Sequence, residues 1–310
     1  MKCILIYFSQ TGNTEKIARA IHTGIKQAAG HCDLVPIKEA NPKRLYSYDL
    51  IGLGSPVMYI EPANVTAFIR DMRFLGGKHI FSFCTHCTMG YPYNPSVVPQ
   101  LRKKGLVVVG WNDWYGSSWG PPNQPTPYLT DGHPDEIDLK QAEAWGKDMV
   151  WRSQRISAGE TELIPEGPEP FIRPDFGDDS LVKALHFRKV AKFESEKCLY
   201  PECRLCMDHC PVDGIDLTVK PVILGKPCID CIFCEQICPT GAIHIDDEVF
   251  EKLLGWHGNV IKNICAPYLD AAEKQGRFRR LMPEEKVGWN TGIYKVHNKH
   301  PRFIIGKGPA

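Results

Sequence analysis

The stretch of sequence that decides the fold lies at residues 198–239. It reads CLYPECRLCMDHCP over residues 198–211 and CIDCIFCEQICP over residues 228–239, so eight of the 13 cysteines stand in two neighbouring runs. Each run ends in Cys-Pro, and the residues that follow also correspond, CPVDGIDL at 210–217 against CPTGAIHI at 238–245. The repeat predicts an internally duplicated metal-binding module with a short strand after the last cysteine of each run.

Two other uses of clustered cysteines fit this spacing less well. Zinc modules usually pair CxxC knuckles across a dozen or more residues rather than placing four thiolates close together in one run. A disulfide framework needs an oxidising compartment, and we expect no export signal because the first residues lead straight into an apolar strand. Metal ligation in a reducing compartment is therefore the favoured interpretation.

The second run resembles the bacterial two-cluster ferredoxins, whose C-x2-C-x2-C-x3-C-P run sends its fourth cysteine to the other cluster. The resemblance implies two [4Fe-4S] clusters, one held by Cys198, Cys203, Cys206 and Cys238 and the other by Cys228, Cys231, Cys234 and Cys210. The first run departs from the pattern, because four residues separate Cys198 from Cys203 and Tyr200 stands at the regular position. Either the loop bulges at Pro201 and Cys198 still ligates, or that cluster has an unusual or labile corner.

Length and charge narrow the class of protein. A chain of 310 residues is long enough for two domains with cores of their own. A formal net charge of +1 argues against nucleic acid as an obligatory partner. No apolar run reaches the length of a membrane span. We therefore expect a cytoplasmic protein without a transmembrane segment.

The N-terminal residues predict an anion site. Residues 2–8, KCILIYF, form a continuous apolar run typical of a buried parallel strand. Between this strand and a helix with apolar positions from Ile17 to Ile25 stand Ser9, Gln10, Thr11, Gly12, Asn13 and Thr14. Backbone N–H groups at a helix N-terminus, together with hydroxyl groups, bind phosphate well. An ordinary capped helix is the alternative.

The segment SQTGNT at 9–14 resembles the loop that holds the terminal phosphate of FMN in flavodoxins. Further apolar runs at 32–37, 49–55, 78–84 and 106–111 alternate with helical patterns at 63–72, 97–104 and 135–157. This alternation predicts a doubly wound parallel sheet. The resemblance implies a five-stranded flavodoxin-like α/β domain with FMN as its cofactor.

Two loops are expected to border the flavin, because ligands of such sheets bind beyond the carboxyl ends of the strands. The candidate residues are Pro56, Val57, Met58 and Tyr59 in the first loop and Cys84, Thr85, His86, Cys87 and Gly90 in the second. The first loop lacks the glycine that flavodoxins commonly carry near flavin N5, so a strongly stabilised one-electron-reduced flavin is not expected. Tyr59 and His86 are candidate proton donors to a substrate.

Two features of the flavodoxin-like region leave alternatives open. Cys84 and Cys87 form a CxxC that either exchanges with the flavin as a redox disulfide or is simply small and apolar. Residues 110–128 are interpreted as one long loop rich in proline and tryptophan, with Trp111, Trp114, Tyr115 and Trp119. Such a loop would cover a substrate or pack against the cysteine-rich module.

The sequence suggests four segments: a flavodoxin-like domain at 1–158, a linker at 159–189, a small α+β two-cluster ferredoxin domain at 190–247 and a C-terminal extension at 248–310. A short helix is expected at 179–187. The extension has helical patterns at 249–258 and 260–275, then irregular residues with a strand. It is mildly basic and would wrap the first domain, mediate a homodimer or dock an acidic partner.

Two functions follow from this combination. In the first, the protein relays low-potential electrons between the clusters and FMN, to or from a partner redox protein. In the second, it passes a hydride from FMN to a small organic acceptor beneath residues 110–128. The first is favoured because no acid–base constellation stands out in the sequence.

Overall fold

The structure is a computed structural model that describes residues 1–58, 60–90, 92–117, 127–177, 187–219, 222, 224–225, 227–289, 303–304 and 308–309. The chain forms two compact units. The first consists of Met1–Ser117 and Gly132–Arg173, and the second of Ser118–Asp131 and Pro174–Ala310. Within the described residues, no helix combines the length and apolar character needed to cross a bilayer.

The first unit is a five-stranded parallel sheet flanked by helices. Its strands are β1 Cys3–Tyr7, β2 Cys32–Pro36, β3 Leu50–Pro56, β4 His79–His86 and β5 Val107–Tyr115, and its helices are α1 Asn13–Ala29, α2 Ala63–Asp71, α3 Tyr93–Lys103 and α4 Glu136–Ser157, with 3-10 turns at Pro42–Ser47 and Thr161–Leu163. The strand order is β2-β1-β3-β4-β5, and every neighbouring pair is parallel. The predicted flavodoxin-like fold class is confirmed.

Burial explains why these segments form the sheet and its covering helices. All five residues of β1 are buried, as expected for a central strand with helices on both faces. In α1 the fully buried residues Ile17, Ile21 and Ile25 recur every four positions, which places them on one face of the helix. Asp135 caps α4 by accepting hydrogen bonds from the backbone of Ile137 and Asp138.

Two predicted boundaries in this unit were wrong. Helix α3 begins at Tyr93 rather than at residue 97. Strand β5 continues to Tyr115, where the prediction placed a loop from residue 110. The strand extends because β4 continues alongside it to His86, and His86 pairs with Tyr115 in register.

The second unit is built from short elements. They are α5 Phe187–Val190, β6 Ala191–Phe193, α6 Leu205–Asp208, α7 Phe233–Ile237, β7 Ile243–Ile245, α8 Asp247–Val260, α9 Ala266–Lys274, β8 Phe303–Ile304 and β9 Gly308–Pro309, with 3-10 turns at Ser195–Lys197 and Glu284–Lys286. A π-helical turn at Ile261–Cys265 joins α8 to α9. Strands β6 and β7 are antiparallel, as are β8 and β9.

Only one of the two strands predicted after the cysteine runs is present. The strand predicted after Cys238 is present as β7. After Cys210 the chain makes a single bridge between Ile215 and Leu224 instead of a strand. The predicted helical patterns of the extension form one continuous helical segment, α8 to α9. Most of the helix predicted at 179–187 lies outside the described residues.

Helices α1 and α4 approach each other at two glycines. A Cβ atom added to Gly24 would lie 1.9 Å from the backbone oxygen of Glu143, and one added to Gly146 would lie 2.3 Å from that of Ile21. Neither backbone can accept such a contact without moving. The two glycines therefore set the distance between the helices.

The substitution Gly24→Ala should lower the free energy of unfolding of the first unit by roughly 1–3 kcal/mol, the cost of overpacking. Chemical denaturation of the flavin-free protein measures this change. Thr23→Ala is the matched control, because Thr23 is exposed on the same helix and alanine is the better helix former. Equal stability of Gly24→Ala and Thr23→Ala would contradict the close approach.

Candidate cofactor sites

The loop Ser9 to Thr14 contains three buried polar atoms that have no partner. They are Ser9 Oγ, Gln10 Nε2 and Asn13 Oδ1. Gly12 precedes α1 with φ 90°, a left-handed conformation that favours glycine, and no side chain caps the helix. Because an unpaired buried polar group costs about 1–3 kcal/mol, three of them in one loop indicate a polar ligand. Ser9 Oγ and Gln10 Nε2 are donors that fit a phosphate group, whereas Asn13 Oδ1 can only accept and does not contribute to such a site.

Hydrogen bonds hold this loop against the carboxyl ends of the neighbouring strands. The Thr14 and Thr85 hydroxyl oxygens are 2.7 Å apart. Asn13 Nδ2 donates to the backbone oxygen of Ser117 over 2.8 Å. Residues 9–14 and the carboxyl end of β4 therefore lie at the same edge of the sheet.

The loop after β3 also lies at this edge. The backbone N–H of Val57 donates to the oxygen of Thr85 over 2.9 Å, and that of Met58 donates to the oxygen of Ile60 over 2.9 Å. The predicted site residue Tyr59 lies outside the described residues. Pro56 ends β3 in register with Thr85.

Sequence reasoning missed a buried carboxylate next to this loop. Glu61 is only 4% exposed. Its Oε1 accepts hydrogen bonds from Gln100 Nε2 at 2.6 Å and from Thr66 at 3.2 Å, whereas Oε2 is buried without a partner. The signal in the sequence was an acidic residue directly after the apolar loop.

His86 is the last residue of β4 rather than a loop residue, and it is paired with a residue that the sequence analysis did not identify. His86 Nε2 lies 2.8 Å from Asp113 Oδ2, and the histidine side chain is 3% exposed against 49% for the aspartate. A carboxylate can only accept, so Nε2 is the donor in this pair. Nδ1 is buried and has no partner. A Cβ atom at Gly90 would lie 3.7 Å from the imidazole.

No disulfide joins Cys84 and Cys87. Burial raises the pKa of Cys84 well above its ordinary value. Because the thiolate is the form that attacks a disulfide, this environment disfavours exchange chemistry at Cys84.

Trp111, Trp114 and Tyr115 lie in β5 rather than in a loop. Trp114 is 5% exposed and packs against Phe83 and Trp145, with ring centroids 6.5 and 5.4 Å away. The ring of Tyr115 is 4.7 Å from that of His86. The loop predicted at 110–128 was therefore wrong for these three residues. Trp119 lies outside the described residues.

The eight cysteines of the two runs separate into two groups of four. Cys198, Cys203, Cys206 and Cys238 line one recess. Cys210, Cys228, Cys231 and Cys234 line a second, and Cys206 lines both. The recesses are of similar size, about 350 and 340 Å³ with the open space at their mouths included. In each group three cysteines come from one run and the fourth from the other.

Backbone N–H groups point at the fourth cysteine of each run. Gly214 donates to Cys210 Sγ over 3.1 Å, and Ala242 donates to Cys238 Sγ over 3.2 Å. Both donors stand four residues after their cysteine, so the sequence repeat is also a structural repeat. Such bonds favour the negatively charged thiolate, the form that ligates a metal.

Cys198 lines its recess although its spacing is irregular. The backbone N–H of Cys203 donates to the oxygen of Leu199 over 2.9 Å, which folds the extra residues into a turn. Of the two alternatives left open by the sequence, this geometry favours the bulged loop with Cys198 still directed to the site.

Comparison with known proteins identifies both halves of the chain. A family model of the flavodoxin domain matches residues 4–110. A flavodoxin of Megasphaera elsdenii is 28% identical over 110 residues, 34% of this chain and 80% of that protein. A solved archaeal flavodoxin has 19% identity and a TM-score of 0.39, covering 50% of this chain and 99% of its own. An uncharacterised ferredoxin of Methanocaldococcus jannaschii is 34% identical over 53 residues, 16% of this chain and 86% of that protein.

The chain is a flavodoxin–ferredoxin fusion. It belongs to the ferredoxin family through one region and carries a flavodoxin domain at its N-terminus. The flavodoxin domain of the fusion implies FMN, and its ferredoxin relatives imply iron–sulfur clusters. The fusion is therefore an electron-transfer protein with flavin and iron–sulfur centres, and proteins of this class act with redox partners.

Desolvation dominates the electrostatics of the cysteine sites in the fusion. Burial, followed by the neighbouring cysteines, raises the pKa of Cys206 to about 12. Burial also raises the pKa of Cys231 to about 12 and that of Cys234 well above its ordinary value. Thiols in such surroundings stay protonated until a metal cation replaces the proton. Metal binding would therefore release protons and stabilise this unit of the fusion.

The flavodoxin part of the fusion offers a direct test of its phosphate loop. Ser9→Ala removes a buried hydroxyl that has no partner in the protein. The free energy of unfolding of the flavin-free fusion should therefore rise by about 1 kcal/mol. FMN should bind about tenfold more weakly, which corresponds to one lost bond of about 1.4 kcal/mol. Equilibrium fluorescence titration with FMN measures the affinity.

Riboflavin and Thr23→Ala are the controls for this test. Riboflavin lacks the phosphate, so Ser9→Ala should leave its affinity unchanged. Thr23→Ala lies on the exposed side of α1 and should affect neither ligand. A loss of riboflavin affinity equal to the loss of FMN affinity would show that Ser9 does not contact the phosphate.

Proposed function

We propose that the fusion relays low-potential electrons between two [4Fe-4S] clusters and FMN, to or from a partner redox protein. Iron–sulfur clusters exchange single electrons, whereas FMN accepts or releases a pair. The combination therefore converts between one-electron and two-electron chemistry in one chain. The observation that carries this proposal is the separation of the eight cysteines into two groups of four.

The proposed cluster ligands follow that separation. The first set is Cys198, Cys203, Cys206 and Cys238, and the second is Cys210, Cys228, Cys231 and Cys234. Each of the four tetrahedral iron atoms of a cubane needs one thiolate, and four cysteines supply them. The N–H bonds to Cys210 and Cys238 support the same assignment, because solvent-shielded donors to sulfur tune such clusters.

For FMN, we propose that Ser9 to Thr14 hold the phosphate and that Pro56 to Tyr59 and Cys84 to Gly90 border the ring. The unpartnered donors Ser9 Oγ and Gln10 Nε2 support the phosphate assignment. The shared edge of the sheet supports the other two. The proposed division of the chain remains 1–158 for flavin binding, 190–247 for the clusters and 159–189 for the linker.

A second function, direct reduction of a small organic acceptor at FMN, is favoured by one observation. His86 is held by Asp113 through Nε2, and its buried Nδ1 has no partner. This arrangement can accept or deliver a proton at Nδ1. A pure electron carrier does not need it.

The substitution His86→Gln separates the two functions, because the Gln amide can still donate to Asp113 but cannot exchange a proton. If the protein acts only as a relay, anaerobic electron transfer to a one-electron acceptor should be unchanged. If His86 moves protons to a substrate, turnover of that substrate should fall by about 10²–10⁴-fold. The turnover of that substrate by the Asp113→Asn variant should then fall as well.

Anaerobically isolated protein should contain about eight iron atoms and eight sulfides per chain, the content of two cubanes. Elemental analysis and sulfide assay measure this. Cys198→Ser should lose iron or change the spectrum of one cluster only. Cys265→Ala is the control, because Cys265 is a buried thiol of the same unit outside both groups. Zinc in place of iron would contradict the assignment.

A further inference from the structure

One residue between two of the proposed cysteine ligands has a backbone conformation that is unfavourable for its type of side chain. Ile232 stands between Cys231 and Cys234 with φ 60° and ψ 5°. Three non-glycine residues of the described chain have positive φ, and the other two are Asp213 and Asp230. Aspartate enters the left-handed region readily, whereas for a β-branched residue it is a genuine outlier.

The position would be relaxed as glycine, so the isoleucine side chain must contribute something that offsets the strain. Its location shows what it contacts. Ile232 lines the recess of Cys210, Cys228, Cys231 and Cys234. It also packs against the core that includes Ile215 and Phe187. Ile229, Leu224 and Phe233 line the same recess, so an apolar wall surrounds these thiols.

The other recess has a partly exposed lining. It includes Leu199, a side chain that is 52% exposed, so water reaches this side of the recess. Phe233, which follows Ile232, is 3% exposed in contrast.

We propose that Ile232 keeps water from the cluster held by Cys210, Cys228, Cys231 and Cys234 and thereby lowers the reduction potential of that cluster. The inference rests on the proposed ligand sets. Reduction adds a negative charge to the cluster, and a dry apolar environment disfavours added charge. Solvent exposure is one of the factors that set such potentials. The strained backbone persists because no unstrained residue supplies the same cover.

Ile232→Gly and Ile232→Asn test this inference, since both residues accept the left-handed conformation. Anaerobic potentiometric titration of the whole protein, followed by electron paramagnetic resonance, reports the two clusters separately. Both variants should retain the iron content of wild type. One cluster should become easier to reduce by about tenfold in its equilibrium constant, or 59 mV for one electron. The other cluster should not change.

Leu199→Ala is the matched control, because it trims an apolar side chain at the recess that water already reaches. Leu199→Ala should not change the potential of the cluster that shifts in the Ile232 variants. If the Ile232 variants keep their iron but show wild-type potentials, the proposed role of Ile232 is overturned. That outcome would not contradict the proposed ligand sets. Loss of iron in both variants would show that the residue holds the loop instead, which also overturns the proposal. A wild-type protein without iron would overturn the ligand sets themselves.

Discussion

Convergence of thiols from two distant runs is the interaction on which the second unit depends. Cys238 lines a recess with three cysteines that stand more than thirty positions earlier, and Cys210 lines the other with three that stand later in the chain. Neither run completes a group alone. The runs must therefore fold together, which explains the paired strands β6 and β7 and the repeated N–H bonds to sulfur.

The two units differ in how much they rely on their cofactors. The first has a continuous core that includes Leu5, Ile21 and Phe81 across sheet and helices, so its fold does not require flavin. The core around the cysteines is centred on Phe187, Ile215, Leu217, Ile243, Ile245 and Phe250. A core of that size offsets little chain entropy. Metal binding would then supply much of the folding free energy of this unit.

Much of the fold followed from the sequence because two strong regularities were present. Continuous apolar runs located the five strands, and the cysteine runs indicated a ferredoxin-like region. The end of β5 was missed because its last residues, Asn112 to Tyr115, are polar and aromatic rather than aliphatic. They remain in the strand because β4 pairs with them, and such pairing is a tertiary effect that no local pattern reveals.

The missed parts of the candidate sites have the same origin. Asp113 and Glu61 became site residues only when folding brought them to His86 and Gln100. Ile232 was unremarkable in the sequence, since isoleucine ordinarily rejects positive φ. Its left-handed conformation, between two cysteines of the second run, is one that local propensity does not predict.

The central claim is that the clusters and the flavin exchange electrons within one chain. The most direct measurement is anaerobic stopped-flow reduction with a one-electron donor, following cluster and flavin absorbance over about a tenfold range of protein concentration. Internal transfer predicts that flavin reduction after cluster reduction is first order, with a rate constant independent of concentration. A rate constant that rises in proportion to protein concentration would mean that electrons pass between separate molecules, and the relay would be contradicted.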